Sequence, residues 1–398
     1  MKRFLPASCR DKVFLPLLLL LLFAPPVLPS AGAQVPELVM DHEFRPDARA
    51  AIDSIYNFRF DAAREVLRPW RNRHPQHPLW ELIDGIELWW QVLADLHDRS
   101  RDEELMERMA RVDYAASRLL DRQAGHADAL IIKAISNGYI ARQRSNRGNW
   151  ISSLNVARKA LSAYDLLQQQ NTGLADLKLA EGLMIYYSSW VPDTYPVVRP
   201  VAWFLPDGDK QKGLELLRQA ADSAVFASAE ATYFLGNITY HHQRDYREAA
   251  HHFESLYRDY PRNSYYVRTY VRALFESERY EEAQSVIRAS LERWEARSLS
   301  FGRVLREELL GYRGRIHMER GNHDLAEEAL RASFRLGEEL PGTDERPSHV
   351  ISGYYLGRVL HELDRNEEAL EVLEHVRRHD AESGYRDRAG ALIRRIGS

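Results

Sequence analysis

Apolar residues recur at three- and four-residue steps along most of the chain, which sets them on one face of successive α-helices. Polar turns and prolines cut these runs into short lengths. The stretch 229–261 shows the unit. Its first half carries Tyr233, Leu235, Gly236 and Ile238; its second half carries Tyr246, Ala249, Phe253 and Leu256. Pro261 stops the second helix, because proline lacks the N–H that a helix interior needs. Phe60, Ala63, Leu67 and Pro75 repeat the aromatic, small, apolar, proline spacing. The pattern predicts helices over 48–58, 60–73, 78–97, 102–122, 127–142, 150–169 and 173–190, with Pro69 kinking or shortening the second. A further helix starts after Asp209, a good N-cap. Ala249, Ala283, Ala326 and Ala369 then mark one helix position at separations of 34, 43 and 43 residues. The longer spacings place extra chain near 299–306 and 340–347. A last helix over 382–396 covers the open end, as terminal units of a stack require. The expectation is all-α: about eight helix pairs and a capping helix.

Other stretches depart from the pattern. Residues 188–209, with four prolines and four aromatics, read as an extended, partly buried insertion. Residues 34–47 read as a polar lead-in. Lys2, Arg3, Arg10 and Lys12 precede an apolar run and Ala31-Gly32-Ala33, so residues 1–33 read as an export signal removed before Gln34. The run is broken by Pro16, Pro25 and Pro26, which weakens a membrane anchor as the alternative. Cys9, the one cysteine, lies in that leader, so the mature chain is held by packing without disulfides. The whole chain has a formal charge of −4. Without the leader's four basic residues and one acidic residue it falls to about −7, too balanced for a general nucleic-acid binder. No apolar stretch of the mature chain is long enough to span a membrane.

Tyr246, Ala249, Phe253 and Pro261 resemble the second half of a tetratricopeptide repeat, a helix-turn-helix of about 34 residues. Gly314 and Gly357 lie twelve residues before Ala326 and Ala369, as that repeat's pattern has it. Gly236 lies thirteen before Ala249, one residue too many, and Val271 holds the glycine place of the Ala283 unit. The C-terminal units, within 210–380, carry the resemblance most clearly; 48–187 carries it in degenerate form. Residues 381–398 form the cap. The segment from Lys178 through the insertion to Tyr240 is similar to exported bacterial tetratricopeptide-repeat proteins, and more distantly to the tetratricopeptide-39 family. These resemblances imply a solenoid that holds a partner in its concave groove, and no enzymatic activity.

In that family the first helix of each pair lines the groove, at positions one and five after the glycine site. Those positions hold Leu183, Asn237, Arg272, Arg315 and Arg358, then Tyr187, His241, Glu276, Glu319 and Glu362. Three units thus repeat Arg-x-x-x-Glu. The arginines could receive carboxylates or carbonyls of an extended peptide; alternatively each pair is an internal i,i+4 ion pair on an exposed helix. The family's carboxylate clamp has asparagine where Arg272 stands, which argues against chaperone-tail binding. Tyr186, Tyr187, Tyr240 and His241 read as an aromatic patch on the same side, and as repeat-to-repeat packing. His241, His242, His251 and His252 lack metal-site spacing and read as surface histidines. Asp207-Gly208-Asp209 lacks the remaining ligands of a calcium loop. No residue is assigned to catalysis, a cofactor or a metal, since nucleophile, phosphate-loop and metalloprotease motifs are missing. The expected function is a non-catalytic scaffold in the cell envelope, periplasmic or at the outer membrane, that binds a protein or peptide partner. Rival readings are a helical-repeat hydrolase or lyase on cell-wall polysaccharide, with two carboxylates facing each other across the groove, and a structural subunit of an envelope complex.

Overall fold

The structure is a computed structural model that describes residues 34–194, 196, 207–295, 302–379 and 384–397. The leader therefore lies outside the described residues. The chain divides into units Met1–Pro36 and Glu37–Ser398, and every described helix belongs to the second. Seventeen α-helices are described. They pair as α1 (Phe44–Tyr56) with α2 (Phe60–Arg73), α3 (Leu79–Ala94) with α4 (Asp102–Arg122), and α5 (Ala127–Asn146) with α6 (Trp150–Gln168). Next come α7 (Leu177–Thr194) with α8 (Lys210–Ser223) and α9 (Ser228–Ile238) with α10 (Tyr246–Asp259). The last pairs are α11 (Ser264–Glu276) with α12 (Tyr280–Glu295), α13 (Gly302–Glu319) with α14 (His323–Glu338), and α15 (Pro347–Glu362) with α16 (Asn366–Arg378). Helix α17 (Tyr385–Ile396) packs on α15 and α16 as the cap. The architecture is an all-α, helical-hairpin solenoid.

One small residue per helix lets the two helices of a pair approach. Ala63, Ala249, Ala283, Ala326 and Ala369 are all fully buried. The first-helix glycines face the second helix one turn beyond these alanines. A methyl on Gly314 would sit 2.4 Å from Leu330 Cγ, and one on Gly357 would sit 2.5 Å from Leu373 Cγ. Such a distance cannot be relieved without separating the helices. At the same place in α11, Val271 is buried, and α11 packs less extensively on α12 than α13 does on α14.

The extra residue between Gly236 and Ala249 has a structural home. Helix α9 does not stop at Ile238 but widens into a π-turn, Thr239–Gln243, and Arg244 then reverses the chain with φ 56°. A π-turn absorbs one residue without shifting the register of the next helix. Two expectations need correction. Residues 188–194 continue α7 instead of forming extended chain; Pro192 removes one hydrogen bond, and the helix ends two residues later. Residues 195 and 197–206 of that insertion, with Trp203 and Phe204, lie outside the described residues. Nor are residues 34–47 merely a polar lead-in. Leu38, Val39 and Phe44 are buried, and the Val39 N–H donates to both carboxylate oxygens of fully buried Asp128. Asp209 caps α8 as expected, accepting from Gln211 N at 2.8 Å and Lys212 N at 3.0 Å.

A simple solenoid repeat touches only its neighbours; here the first pairs also close back on later turns. At the end of α1, Asp53 accepts from the Tyr260 hydroxyl at 2.7 Å and Asn57 accepts from Arg262 N at 3.0 Å. Asn263, fully buried, caps α11 through Tyr265 N and Tyr266 N and donates to Tyr56 O at 2.8 Å. At the end of α3, Leu93 O accepts from Arg268 at 3.1 Å, and Asp95 meets buried Arg346 at 2.6 Å. Tyr56, Trp90, Tyr260 and Tyr266 fill the seam with edge-on and tilted rings.

These buried polar groups lead to two expected outcomes. Asn263→Ala removes a cap and strands Tyr56 O, so it should cost about 2–3 kcal/mol in urea unfolding followed by circular dichroism; a change below about 0.5 kcal/mol would remove Asn263 from the seam's energetics. The Glu307 carboxyl is fully buried and accepts from Ser348 Oγ at 2.7 Å. Burial, then the neighbouring charge of Glu308, pushes its pKa up to about 8. The folded state thus holds this proton after the unfolded chain has released it, and stability is lost as pH rises from about 4.5 to about 8. Glu307→Gln should therefore be stabilising by a few kcal/mol at pH 8 and nearly neutral at pH 4.5; equal effects at both pH values would refute it.

Candidate partner-binding face

The first helices α9, α11, α13 and α15 present guanidinium groups and aromatic rings in alternation. Arg272 on α11 lies 4.6 Å from the ring centre of Tyr240, in the π-turn after α9. Arg315 on α13 lies 4.0 Å from Phe275, 5.1 Å from Tyr312 and 5.0 Å from Tyr355. Arg358 on α15 shares Tyr355, at 5.5 Å. Tyr355 packs on Tyr385 of the cap, which Arg388 covers at 4.7 Å. Each ring face offers negative potential to a flat cation, worth about 0.5–2 kcal/mol according to desolvation. Cross-unit stacking of this kind joins repeat to repeat.

The three arginines of the repeated Arg-x-x-x-Glu differ in consequence. Arg358 makes the internal pair with Glu362, at 3.5 Å. Arg315 reaches back to Glu276 of the preceding unit, at 4.0 Å, and is only 8% exposed. Arg272 meets no carboxylate among the described residues; it is half-buried, its Nε has no partner, and Tyr240 is the ring it covers. Beside it, His241 is at the surface, yet its pKa is lowered to about 4, first by desolvation and then by the charges of Arg272 and His242. It is neutral at pH 7 and can donate or accept a hydrogen bond.

The other expected groove residues fall in two groups. Asn237 is half-buried and donates to Tyr233 O, within its own helix. Tyr186 is buried, and its hydroxyl meets His242 Nδ1 at 3.0 Å. Tyr187 is half-buried, edge-on to Tyr186, Trp190 and His242. His242 stacks between Tyr186 and Trp190, 3.9 Å from the latter. Tyr186 and Tyr187 have pKa values pushed up to about 12 by burial. These rings pack α7 against the π-turn, while Tyr240 and Arg272 are half-buried and His241 is exposed. His241, His242, His251 and His252 do not converge. Among the described residues the histidines that do are His349, His375 and His379, on α15, on α16 and just past its end.

Sequence reasoning missed Phe275, Tyr312 and Tyr355 as the arginines' partners. The signal was present: Tyr312 and Tyr355 stand two residues before Gly314 and Gly357, in Tyr-x-Gly-Arg. A polar cavity of about 300 Å³ between α2, α3 and α4 is a weaker candidate. Its charges are already engaged, Arg64 with Glu87 at 2.5 Å and Arg71 with Asp84 at 2.7 Å. No described helix is long and apolar enough to cross a membrane.

Helical pairs closed by a small-residue contact, with a polar and aromatic first-helix wall, define a helical-repeat interaction scaffold. The tetratricopeptide-repeat family model matches residues 242–298, 268–341 and 313–382, so the C-terminal part of the chain carries tetratricopeptide repeats. No protein of curated function matches the sequence. Solved structures similar to it include yeast Tom70, 9% identical, covering 89% of this chain and 83% of that one at a TM-score of 0.43. The human IFIT1 dimer with PPP-AAAA is 15% identical, covering 88% of this chain and 82% of that one at a TM-score of 0.39. At these scores neither informs the detail of the wall.

The different settings of the arginines predict different stability effects. Arg315→Ala should destabilise by about 2 kcal/mol, through lost stacking and an emptied buried site. Arg272→Ala should cost less than about 1 kcal/mol, since no ion pair is broken. Urea midpoints of the two variants measure this, and equal losses would contradict the assignment.

Proposed function

We propose that the protein is a non-catalytic scaffold that holds an extended protein or peptide segment along the wall of α9, α11, α13 and α15. The carrying observation is Arg272, a desolvated guanidinium on a tyrosine face that meets no carboxylate among the described residues. An acidic side chain or terminal carboxylate of the partner would complete it, in a setting where charge-assisted hydrogen bonds are strong. Tyr240 and neutral His241 flank that position with an aromatic face and a hydrogen-bonding edge. Arg358, more open than Arg315, offers a further contact along the same wall. The leader-like residues 1–33 support a place in the cell envelope, with a partner there, within an assembly or as a passing ligand.

The test compares what the mature chain retains from envelope extract, as wild type and as Arg272→Glu, by quantitative mass spectrometry. Proteins held by the wall should fall at least about tenfold with Arg272→Glu while the helical spectrum and melting temperature are kept. An unchanged set of retained proteins would remove Arg272 from the binding face. Expression with the leader intact should yield a mature chain starting at Gln34 by intact mass; an uncleaved chain in the cytoplasm would refute the export reading alone.

A further inference from the structure

We propose that His349, His375 and His379 form a three-imidazole site for a divalent transition-metal cation of the Zn²⁺ class. The three come from two helices of the last pair and the residue just past it. His349 lies in the first turn of α15, His375 in the last turn of α16, and His379 directly after it. His375 and His379 are four residues apart, so they share one side of the helix end. The chain path then brings His349 in from the neighbouring helix.

The geometry is that of converging ligand atoms. His375 Nε2 lies 3.3 Å from His349 Nε2 and 2.7 Å from His379 Nε2, and all three ligand atoms lie within 4.8 Å of one another. Each Nε2 carries either one proton or one lone pair. His375 Nε2 faces two others, and one N–H there cannot serve both well. A single cation satisfies three lone pairs at once. Ligands at the usual Zn–N distance of about 2.0–2.1 Å stand about 3.3 Å apart in a tetrahedral set. Of the three spacings, that of His349 and His375 already matches, that of His375 and His379 needs to open by about half an ångström, and that of His349 and His379 lies within 4.8 Å.

The surroundings fix the rings and suit a cation. Phe334 stacks flat on His349 at 4.4 Å and meets His375 edge-on at 5.2 Å. Gly337 on α14 makes room for the His349 ring, since a methyl there would lie 2.5 Å from its Nδ1. His349 and His379 are buried, whereas His375 is half-buried, leaving one side for entry and for a water as fourth ligand. The carbonyls at the α16 C-terminus add negative potential. Arg346, whose charge acts on His349, pairs with Asp95, and Arg377, in the same turn as His375, pairs with Glu374. Imidazole-only ligation selects borderline cations, Zn²⁺, Co²⁺, Ni²⁺ or Cu²⁺, over Mg²⁺ and Ca²⁺. A bound ion would clamp α15 to α16 beside the cap.

The test is equilibrium dialysis of the full chain, stripped with chelator, against Zn²⁺ alone. The expected result is one tightly held ion per chain, weakened at least about tenfold in His375→Ala and unaffected in the double variant His251→Ala, His252→Ala. Zn²⁺ should also raise the melting temperature of the wild type and not of His375→Ala. Co²⁺ on the wild type should show the intense visible bands of a four-coordinate site; this readout holds even where a histidine variant fails to fold. Equal Zn²⁺ affinity in His375→Ala, or a wild type whose Co²⁺ spectrum is that of the hydrated ion, would overturn the assignment.

Discussion

The closing contacts between the ends of α1 and α3 and the turns before α11 and α15 govern the rest of the structure. Asn263, Arg346 and Asp95 are buried or nearly so, and each would be costly to leave unpaired. A chain of repeats that touch only their neighbours can fray from either end. Here the N-terminal pairs are tied to units more than two hundred residues away. Loss of order in one half therefore exposes polar groups in the other, which makes the array more cooperative than a linear stack.

The face proposed for binding depends on that rigidity. A guanidinium stacked on a ring keeps its position only while the two helices that carry them stay in register. Arg268, one turn before Arg272, illustrates the link: it donates to Leu93 O of α3 and to Glu308 of α13 at once. The same residue type on one face thus serves three ends. Arg268 ties the halves together, Arg315 pairs with a carboxylate of the preceding unit, and Arg272 covers a ring of the preceding unit without an ion pair among the described residues. Position in the repeat alone does not separate these roles; the second ring or carboxylate within reach does.

Local rules made much of this legible in the sequence. The alanine and glycine spacing located the paired helices because close approach at Gly314 and Gly357 leaves no room for a larger side chain. Asp209 announced its helix start, and the residue too many before Ala249 is taken up by the π-turn, which the spacing alone did not name. What escaped was set by distant partners. The burial of Arg315 depends on Phe275 and Tyr355, carried by the units on either side. Leu38 and Val39 had the look of polar lead-in because the acceptor of the Val39 N–H, Asp128, lies far along the chain. His375 and His379 show helical spacing by themselves, but the third imidazole, His349, is brought in by the α15–α16 hairpin. The expected change to extended chain after Ser188 failed because a proline in a helix removes one bond and does not by itself end it at once.

The pairing of Tyr56 with Asn263 and of Asp95 with Arg346 has a consequence for how the molecule is made. A ribosome delivers α1 to α3 long before the residues that satisfy their exposed ends exist. Until residue 266 has emerged, the aromatic seam around Trp90 lacks Tyr260 and Tyr266, and early apolar surface stays uncovered. Misassembly and proteolysis have their opening in that interval, and the Asp95–Arg346 pair closes only after 251 residues beyond Asp95 have been made.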